Sequence, residues 1–501
     1  MARSIRLLII VGTLSVWMLG PAPFASAQRA CRETKVTAFD GGVFQMFGYS
    51  VAVSGDTAMI GADWDDDLGT QSGSAYVYQR EPDPEGSWVF AQKLLGSDEV
   101  NGDEFGHSVA IDGDVAFIGA LQHIHEGAPG TGSVYVFRFD PDTASWIEEE
   151  ELLASMGTWG DGFGFSVSIS GDVALIGAVL DDDNGGNSGS AYVFRYDAKM
   201  RMWIEEQKLL ASDGAAGDFF GDAVAIVADP AGDVALIGAG GHDDLGNNAG
   251  AAYVFRYDPK TSTWQEEQKL LASDGATSDQ FAFAAVSLSG IQGEAAAVIG
   301  AHRNGSGTAY VFRYDPKNST WFEEQKLSPS GGAPDDFGRA AAIDGDIALI
   351  GSFKASAVGT NSGAAYVYRY DPDTSQWSQA DMLVPDPGPW AASFGWSVAL
   401  DGDRAVCGAH GENQQAGAAY MFAGLQGIDC NNNGLSDSCE QMDPDACPWD
   451  LDDNEIVGAS DLLSLLVAWG TAPCGPPDFD NDGNVGASDL LALLVNWGPC
   501  P

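Results

Sequence analysis

Residues 163–210 read FGFSVSISGDVALIGAVLDDDNGGNSGSAYVFRYDAKMRMWIEEQKLL. Four short apolar runs, SVSIS, VALIGA, SAYVFRY and WIEEQKLL, are separated by clusters of Gly, Asp and Asn. Alternation with period two between turn signals predicts half-buried antiparallel strands. One such sheet cannot bury both of its faces, so it needs neighbours.

The neighbours are further copies of the same stretch. Its opening Phe recurs at Phe47, Phe105, Phe163, Phe220, Phe281, Phe337 and Phe394, at intervals of 58, 58, 57, 61, 56 and 57 residues. Gly follows it in every copy but one, where Ala282 stands instead. The third run returns as SAYVYQR from Ser74, SVYVFRF from Ser133, AYVFRY from Ala252 and Ala309, AYVYRY from Ala365 and AYMF from Ala419. A Trp opens the fourth run at Trp88, Trp146, Trp203, Trp264, Trp321 and Trp377. Seven four-stranded units at a fixed period predict an all-β, seven-bladed β-propeller. The seventh unit has no fourth strand after Phe422. Residues 35–41 stand before the first Phe-Gly as residues 208–214 stand before a later one. The N-terminal strand is therefore expected to complete the last blade and close the ring, which removes exposed sheet edges.

Hydrophobic residues make up 45% of the 501, ample for a core. The formal charge is −49, from 23 basic and 72 acidic residues. That balance argues against nucleic-acid and anionic-membrane partners. Residues 1–27 read as a secretory signal: Arg3 and Arg6, an apolar core over 7–19, and Ala25-Ser26-Ala27 before Gln28. No other apolar run approaches the length of a membrane span. The expected location is secreted, extracellular or cell-surface. Of seven cysteines, Cys407 falls in a second strand and reads as a buried free thiol. Cys31, Cys430, Cys439, Cys447, Cys474 and Cys500 suit disulfides in an oxidising compartment, with fifteen pairings open. Strand direction suggests a Cys31 link to Cys430 or Cys439.

The succession Phe-Gly, strand, Ile-Gly-Ala, then Gly-x-Ala-Tyr-Val-Phe resembles the FG-GAP repeats of integrin α-subunit propellers, over residues 33–422. The resemblance implies a seven-bladed propeller used for adhesion or ligand binding rather than catalysis. The chain departs from it in one respect. Many FG-GAP repeats carry an Asp-x-Asn-Gly-Asp-Gly calcium loop between the first two strands. Here that hairpin is Ser-Gly-Asp from Ser54 and Ser170, and Asp-Gly-Asp from Asp112, Asp344 and Asp401. These are too short to wrap a cation that takes six to eight oxygens, and read as tight turns with Gly at positive φ. The longer loop 228–233 holds poor ligands.

The loops after the second strands carry Asp63, Asp65, Asp66 and Asp67, then Asp181, Asp182 and Asp183, then Asp243 and Asp244. They should gather on one face, where a protein or carbohydrate ligand would dock by resemblance. Turn chemistry alone accounts for most of these acids. Directly after Gly-Ala or Gly-Ser stand Asp63, Leu121, Val179, Gly240, His302, Phe353 and His410. His302 and His410, like the pair His123 and His125, read as ordinary loop residues. The repeating Trp residues read as packing anchors within blades. Carboxylate pairs such as Glu205-Glu206 recur as WxEEQKL, which argues for a role in the strand. No Gly-x-Ser-x-Gly, His-Glu-x-x-His or Gly-Lys-Ser/Thr motif is present. The chain is expected not to be an enzyme. A secreted polysaccharide-active enzyme or a structural envelope protein are the alternatives.

After a linker at 423–428 the composition changes, and residues 429–501 read as a calcium-loop and dockerin-like module. The first loop offers Asp429, Asn431, Asn433, the Leu435 carbonyl, Asp437 and Glu440. The second offers Asp450, Asp452, Asn454, the Ile456 carbonyl and Asp461. The third offers Asp478, Asp480, Asp482, the Asn484 carbonyl and Asp489. Carboxylates at this spacing need a hard divalent cation, so the expected cofactor is Ca²⁺. In the second loop Glu455 holds the turn position usually given to Gly. Two apolar helices are predicted at 462–469 and 490–497, with Leu-Leu-x-Leu-Leu facing a core. The duplicated pair resembles a type I dockerin across 450–498. That implies a cohesin-like partner, met through Ala459-Ser460 and Ala487-Ser488.

Overall fold

The computed structural model describes residues 32–81, 87–123, 131–290, 295–330, 336–372, 374–385 and 391–425, with short stretches at 456–457, 459–468, 490–491, 493–494 and 498–499. Seven four-stranded antiparallel sheets stand around one axis. In the third blade the strands are Phe163–Ser170, Val173–Ala178, Ser190–Asp197 and Met202–Leu209, paired in sequence order from the axis outward. The seventh sheet runs Val398–Asp401, Arg404–Gly408, Ala419–Ala423, and then Arg32–Val36 as its outer strand. Thr34 lies opposite Met421, so the expected closure by the N-terminal strand is observed.

Closure is repeated on three levels. At the hairpin tips, the residue before the turn Gly accepts a hydrogen bond from a backbone amide of the next blade. Ser54 accepts from Gly113, Asp112 from Gly171, Ser170 from Ala228, Ser289 from Gly345, Asp344 from Gly402, and Asp401 from Gly55 across the ring seam. At the junction after blade four the corresponding residue is Val227, which has no side-chain oxygen. The turn glycines take φ of 55 to 59° at Gly55, Gly113, Gly171, Gly345 and Gly402, as tight hairpins require. The carboxylates in the longer loop 228–233 are used within it and by Arg195.

Further out, the Gly of each Ile-Gly-Ala lies flat against the next blade. A Cβ on Gly177 would come within 2.1 Å of the Gly221 carbonyl oxygen, so no larger residue fits without moving backbone. At the rim, the Gln of WxEEQKL clasps the backbone of the next blade's Trp. Gln207 donates to the Trp264 carbonyl at 3.1 Å and accepts from its amide at 2.9 Å.

The apolar cores sit between blades rather than inside them. One cluster joins Val173, Leu175 and Val193 of blade three to Phe220, Ile237 and Tyr253 of blade four. The Trp residues belong to these junctions: Trp203 meets Phe117 of the preceding blade edge-on at 4.9 Å. They also pack within their own blades, as expected: Trp203 lies 5.5 Å from Tyr196 and Trp264 5.6 Å from Tyr257, so each Trp anchors its blade and joins it to a neighbour. Cys407 is buried with its thiol unpaired, and burial pushes that thiol up. The other six cysteines, the signal segment and residues 426–428 lie outside the described residues; of the expected linker, Ala423 ends the strand Ala419–Ala423 and Leu425 is buried against the last blade.

Of the tail, Ile456–Val457 pairs with Gly498–Pro499, and a helix runs Ala459–Ala468. The helix starts three residues before the predicted 462 and takes in Ser460 and Asp461. Leu465 and Leu493 are buried, whereas Leu463, Leu466, Leu491 and Leu494 are exposed. The Leu-Leu-x-Leu-Leu stripe is thus only partly core-facing. Residues two apart on a helix point nearly opposite ways, so Leu463 and Leu465 cannot share a face. The predicted ligands Asp429, Asn431, Asn433, Leu435, Asp437, Glu440, Asp450, Asp452, Asn454, Asp478, Asp480, Asp482, Asn484 and Asp489 lie outside the described residues. So do the side chains of Ile456 and Asp461. Among the described residues no helix is long and apolar enough to cross a membrane.

Candidate functional site

The repeat loses its symmetry at the residue after each Phe-Gly, as it does at the rim column that follows Gly-Ala or Gly-Ser. The Phe is buried in the junction and the Gly takes φ near +88°, as at Gly48 and Gly164. The next residue then lies on the axis. Around the ring this column reads Tyr49, His107, Phe165, Asp222, Phe283, Arg339 and Trp396. All but Phe283 line a cavity of about 210 Å³ where the inner strands begin. Aligning the seven copies and looking for the variable column would have found it.

The side chains form a connected aromatic collar. Tyr49 lies 5.0 Å from His107 and 5.8 Å from Trp396, ring centre to ring centre. Trp396 is met edge-on by His410 at 4.5 Å and by Phe353 at 5.0 Å. The Arg339 guanidinium sits 4.0 Å above the Trp396 ring, a cation–π contact. His302 packs against Phe283 at 5.7 Å. His302, Phe353 and His410 come from the rim column, so that column and the Phe-Gly column meet at the axis.

Burial sets the charges. Asp222 is 2% exposed, and burial holds its carboxyl well above the usual carboxylate range. One of its oxygens accepts from the Gly240 amide at 3.0 Å, and the other has no partner. His302 and His410 are both pushed down to about 4, first by burial and then by the Arg339 charge. Their Nδ1 atoms lack hydrogen-bond partners. Burial also raises Asp63, whose carboxylate lies 3.4 Å from His107 Nδ1. Near neutral pH the collar thus holds the Arg339 guanidinium, neutral imidazoles at His302 and His410, and an Asp222 carboxyl inclined to keep its proton. Such a lining suits a flat or apolar body with one anionic or acceptor group. The serine hydroxyls near it are committed elsewhere: Ser50, Ser108 and Ser166 each donate to a carbonyl of the next blade at 2.7 to 2.8 Å.

The acidic loops gather on the same face but serve the fold. Asp65 is buried and accepts from Ser74, Tyr76 and Lys93 at 2.7 to 2.9 Å. Asp66, Asp182 and Asp243 accept from backbone amides five residues on. Lys208 holds Asp181 and Asp183 at 2.6 and 2.7 Å, and Lys269 pairs with Asp244. Only Asp63 turns to the axis. In WxEEQKL, Glu205 accepts from the Ser155 amide and hydroxyl, and Glu206 pairs with Arg195. His123 is buried beside Asp103 rather than lying free on its loop. The loops leading to Phe-Gly expose large apolar groups, including Phe39, Phe44, Met156 and Trp159, the last 73% exposed.

A family model described as FG-GAP repeat matches residues 31–78, 88–137, 146–194, 203–255, 264–312, 321–368 and 377–422. Kelch-like protein 36 from Mus musculus is 26% identical over 125 residues, which is 25% of this chain and 17% of that protein. The chain therefore spans about a sixth of the length of that curated relative.

Proposed function

On the premise that the chain belongs to the FG-GAP repeat family, we propose that it is an exported, non-catalytic binding protein whose ligand enters the axial cavity from the loop face. FG-GAP propellers are common ligand-binding scaffolds. The observation that carries the proposal is the break in repeat symmetry at the Phe-Gly column, where packing alone would favour seven like residues. Arg339 is the anchor for a carboxylate or similar anion, Trp396 and Tyr49 stack against a flat body, and Asp222 donates or accepts beside them. The exposed Trp159, Phe39 and Phe44 extend the surface toward a protein or carbohydrate carrying that group. Ligand-observed NMR with aromatic carboxylates, benzoate first, tests this. Binding should appear with the intact chain and fall at least tenfold in Arg339→Met. Equal binding by both proteins would refute it.

The tail is proposed to bind Ca²⁺ through the oxygen ligands named above and to serve docking or surface attachment. The support is the ligand spacing. Limited proteolysis of the full chain with and without chelator tests it: only the tail should become sensitive.

A second reading is an enzyme, favoured by the Asp63–His107 contact beside Tyr49 in a cavity that differs from blade to blade. Turnover of a polysaccharide that disappears in His107→Gln would decide for it.

A further inference from the structure

Behind the loop after the second strand, in five of the seven blades, a small polar cup is closed by three residues. One is the loop residue, one is the Tyr of the third strand, and one is the Lys of WxEEQKL. Blade one has Asp65 with Lys93, and blade three has Asp181 with Lys208. In the seventh blade Glu412 meets Lys35 from the N-terminal strand. Blade six has lost both partners together, with Ala355 and Met382 in their places. An acceptor is thus kept where a cation is present and dropped where it is absent.

Blade two breaks that rule. Its loop residue is His123, and the position of the lysine holds Glu151. Blade four shows what the arrangement looks like with the lysine present. There His242 Nδ1 lies 3.0 Å from Asp218, and Lys269 Nζ lies 3.3 Å from His242 Nε2 and 2.6 Å from Asp213. In blade two His123 Nδ1 lies 3.0 Å from Asp103 in the same way. His123 Nε2 then faces Glu151 Oε1 at 3.4 Å and Asp98 Oδ2 at 3.9 Å. A carboxylate has replaced the ammonium while the surrounding donors were kept.

The imidazole carries the second, independent indication. His123 is 2% exposed, and its Nε2 has no hydrogen-bond partner. That nitrogen is aimed into the cup. Its ring is fixed by Asp103 on the far side, the carboxylate–histidine arrangement that orients metal-binding imidazoles. The ligand atoms of Asp98, His123 and Glu151 all lie within 4.8 Å of one another. Two ligands of a tetrahedral zinc, each about 2.0–2.1 Å from the metal, lie roughly 3.3–3.4 Å apart. The Glu151–His123 separation already has that value.

We propose that Asp98, His123 and Glu151 bind a divalent first-row transition-metal ion, Zn²⁺ or Mn²⁺, at the position that a lysine ammonium fills in blade four. Asp103 is the positioning residue. One nitrogen and two carboxylate ligands suit such ions, whereas Ca²⁺ takes oxygen alone. The ion ties the loop, the outer strand and the approach to Phe105 together, as the lysine does elsewhere. Asp98 is 53% exposed, so a further coordination position opens to the loop face. This site is independent of the axial cavity and of the tail.

The test is isothermal titration of the full chain with Zn²⁺ and with Mn²⁺, in excess Ca²⁺ to saturate the tail. Glu151→Lys installs the residue of the other blades and should fold as they do. It is expected to lose one equivalent of metal, or at least 100-fold in affinity for it, with no fall in thermal midpoint in the metal-free protein. Lys269→Glu should add one equivalent through Asp213 and His242. Unchanged stoichiometry and affinity in Glu151→Lys would overturn the proposal. If that variant does not fold, His123→Asn, which copies Asn304 of blade five, gives the same two outcomes.

Discussion

The Asp401 carboxylate accepts a hydrogen bond from the Gly55 amide at 2.5 Å, although 346 residues separate them. It is the same bond that Asp112 makes to Gly171, carried across the seam of the ring. At the seam it joins the Phe47–Gly417 bridge and the Arg404–Asp56 pair. Asp401→Ala should lower stability by about 1 kcal/mol, the usual worth of one solvent-accessible hydrogen bond. Urea unfolding followed by tryptophan fluorescence measures it. Removal of residues 32–36 should do more, because the edge Ala419–Ala423 is then unpaired and open to other chains. Size-exclusion chromatography should show self-association, and a monodisperse monomer would contradict this account of closure.

Ala282 stands where the other copies have the Gly of Phe-Gly, at φ +65°, a conformation costly for any residue with a Cβ. Ala282→Gly is expected to raise stability by about 0.5–1 kcal/mol, the strain relieved outweighing the added freedom of the unfolded chain. The opposite change at Gly300 should destabilise by about 3 kcal/mol, since its Cβ would lie 1.9 Å from the Gly338 carbonyl oxygen. Thermal midpoints of the two variants should move in opposite directions.

The collar imidazoles impose an acid limb on stability. An unfolded histidine titrates near about 6.5, whereas His302 and His410 take a proton only near about 4 in the folded protein. Between those values the unfolded chain binds more protons. Stability from this source is therefore greatest above about pH 6.5 and falls as the pH drops toward 4. The loss at pH 5 is on the order of 1–2 kcal/mol for each histidine. Glu99, raised to about 9 by burial, works the other way and gains stability as the pH falls from 9 toward its unfolded range. Comparison with the His302→Phe/His410→Phe double variant isolates the histidines. The stability difference between pH 7 and pH 5 should shrink in the variant.

Arg339 lowers both imidazoles through its charge. In Arg339→Met the two midpoints should rise toward the ordinary histidine range, read by NMR titration of the ring protons. No movement would mean that burial alone sets them and that the axial charge is screened.

Blade number, strand order and closure were legible because each rests on a local pattern repeated seven times: alternation, turn glycines, and the match of residues 35–41 to 208–214. Cys407 was legible because it replaces Leu or Ile in a strand buried on both faces. The axial cavity was not, since its residues are far apart in the chain and each looks like ordinary variation beside its own Phe-Gly. For a related reason His123 does not stand out in the sequence. Its partners Asp98 and Glu151 stand 25 and 28 residues away on either side, and only the blade geometry brings them together. The packing of each Trp within its own blade was legible, whereas its contact with the neighbouring blade was not, because a periodic sequence does not say which side of the period faces which neighbour.

Each matched FG-GAP segment from 88 onward begins at the outer strand of one blade and ends in the third strand of the next. The unit written in the sequence is therefore a blade boundary rather than a blade. Adding or deleting one whole unit would leave every remaining sheet with four strands and would still place a terminal strand beside the last one. Copy number in this architecture is limited by the wedge angle at which neighbouring sheets can pack, and not by any strand left without a mate.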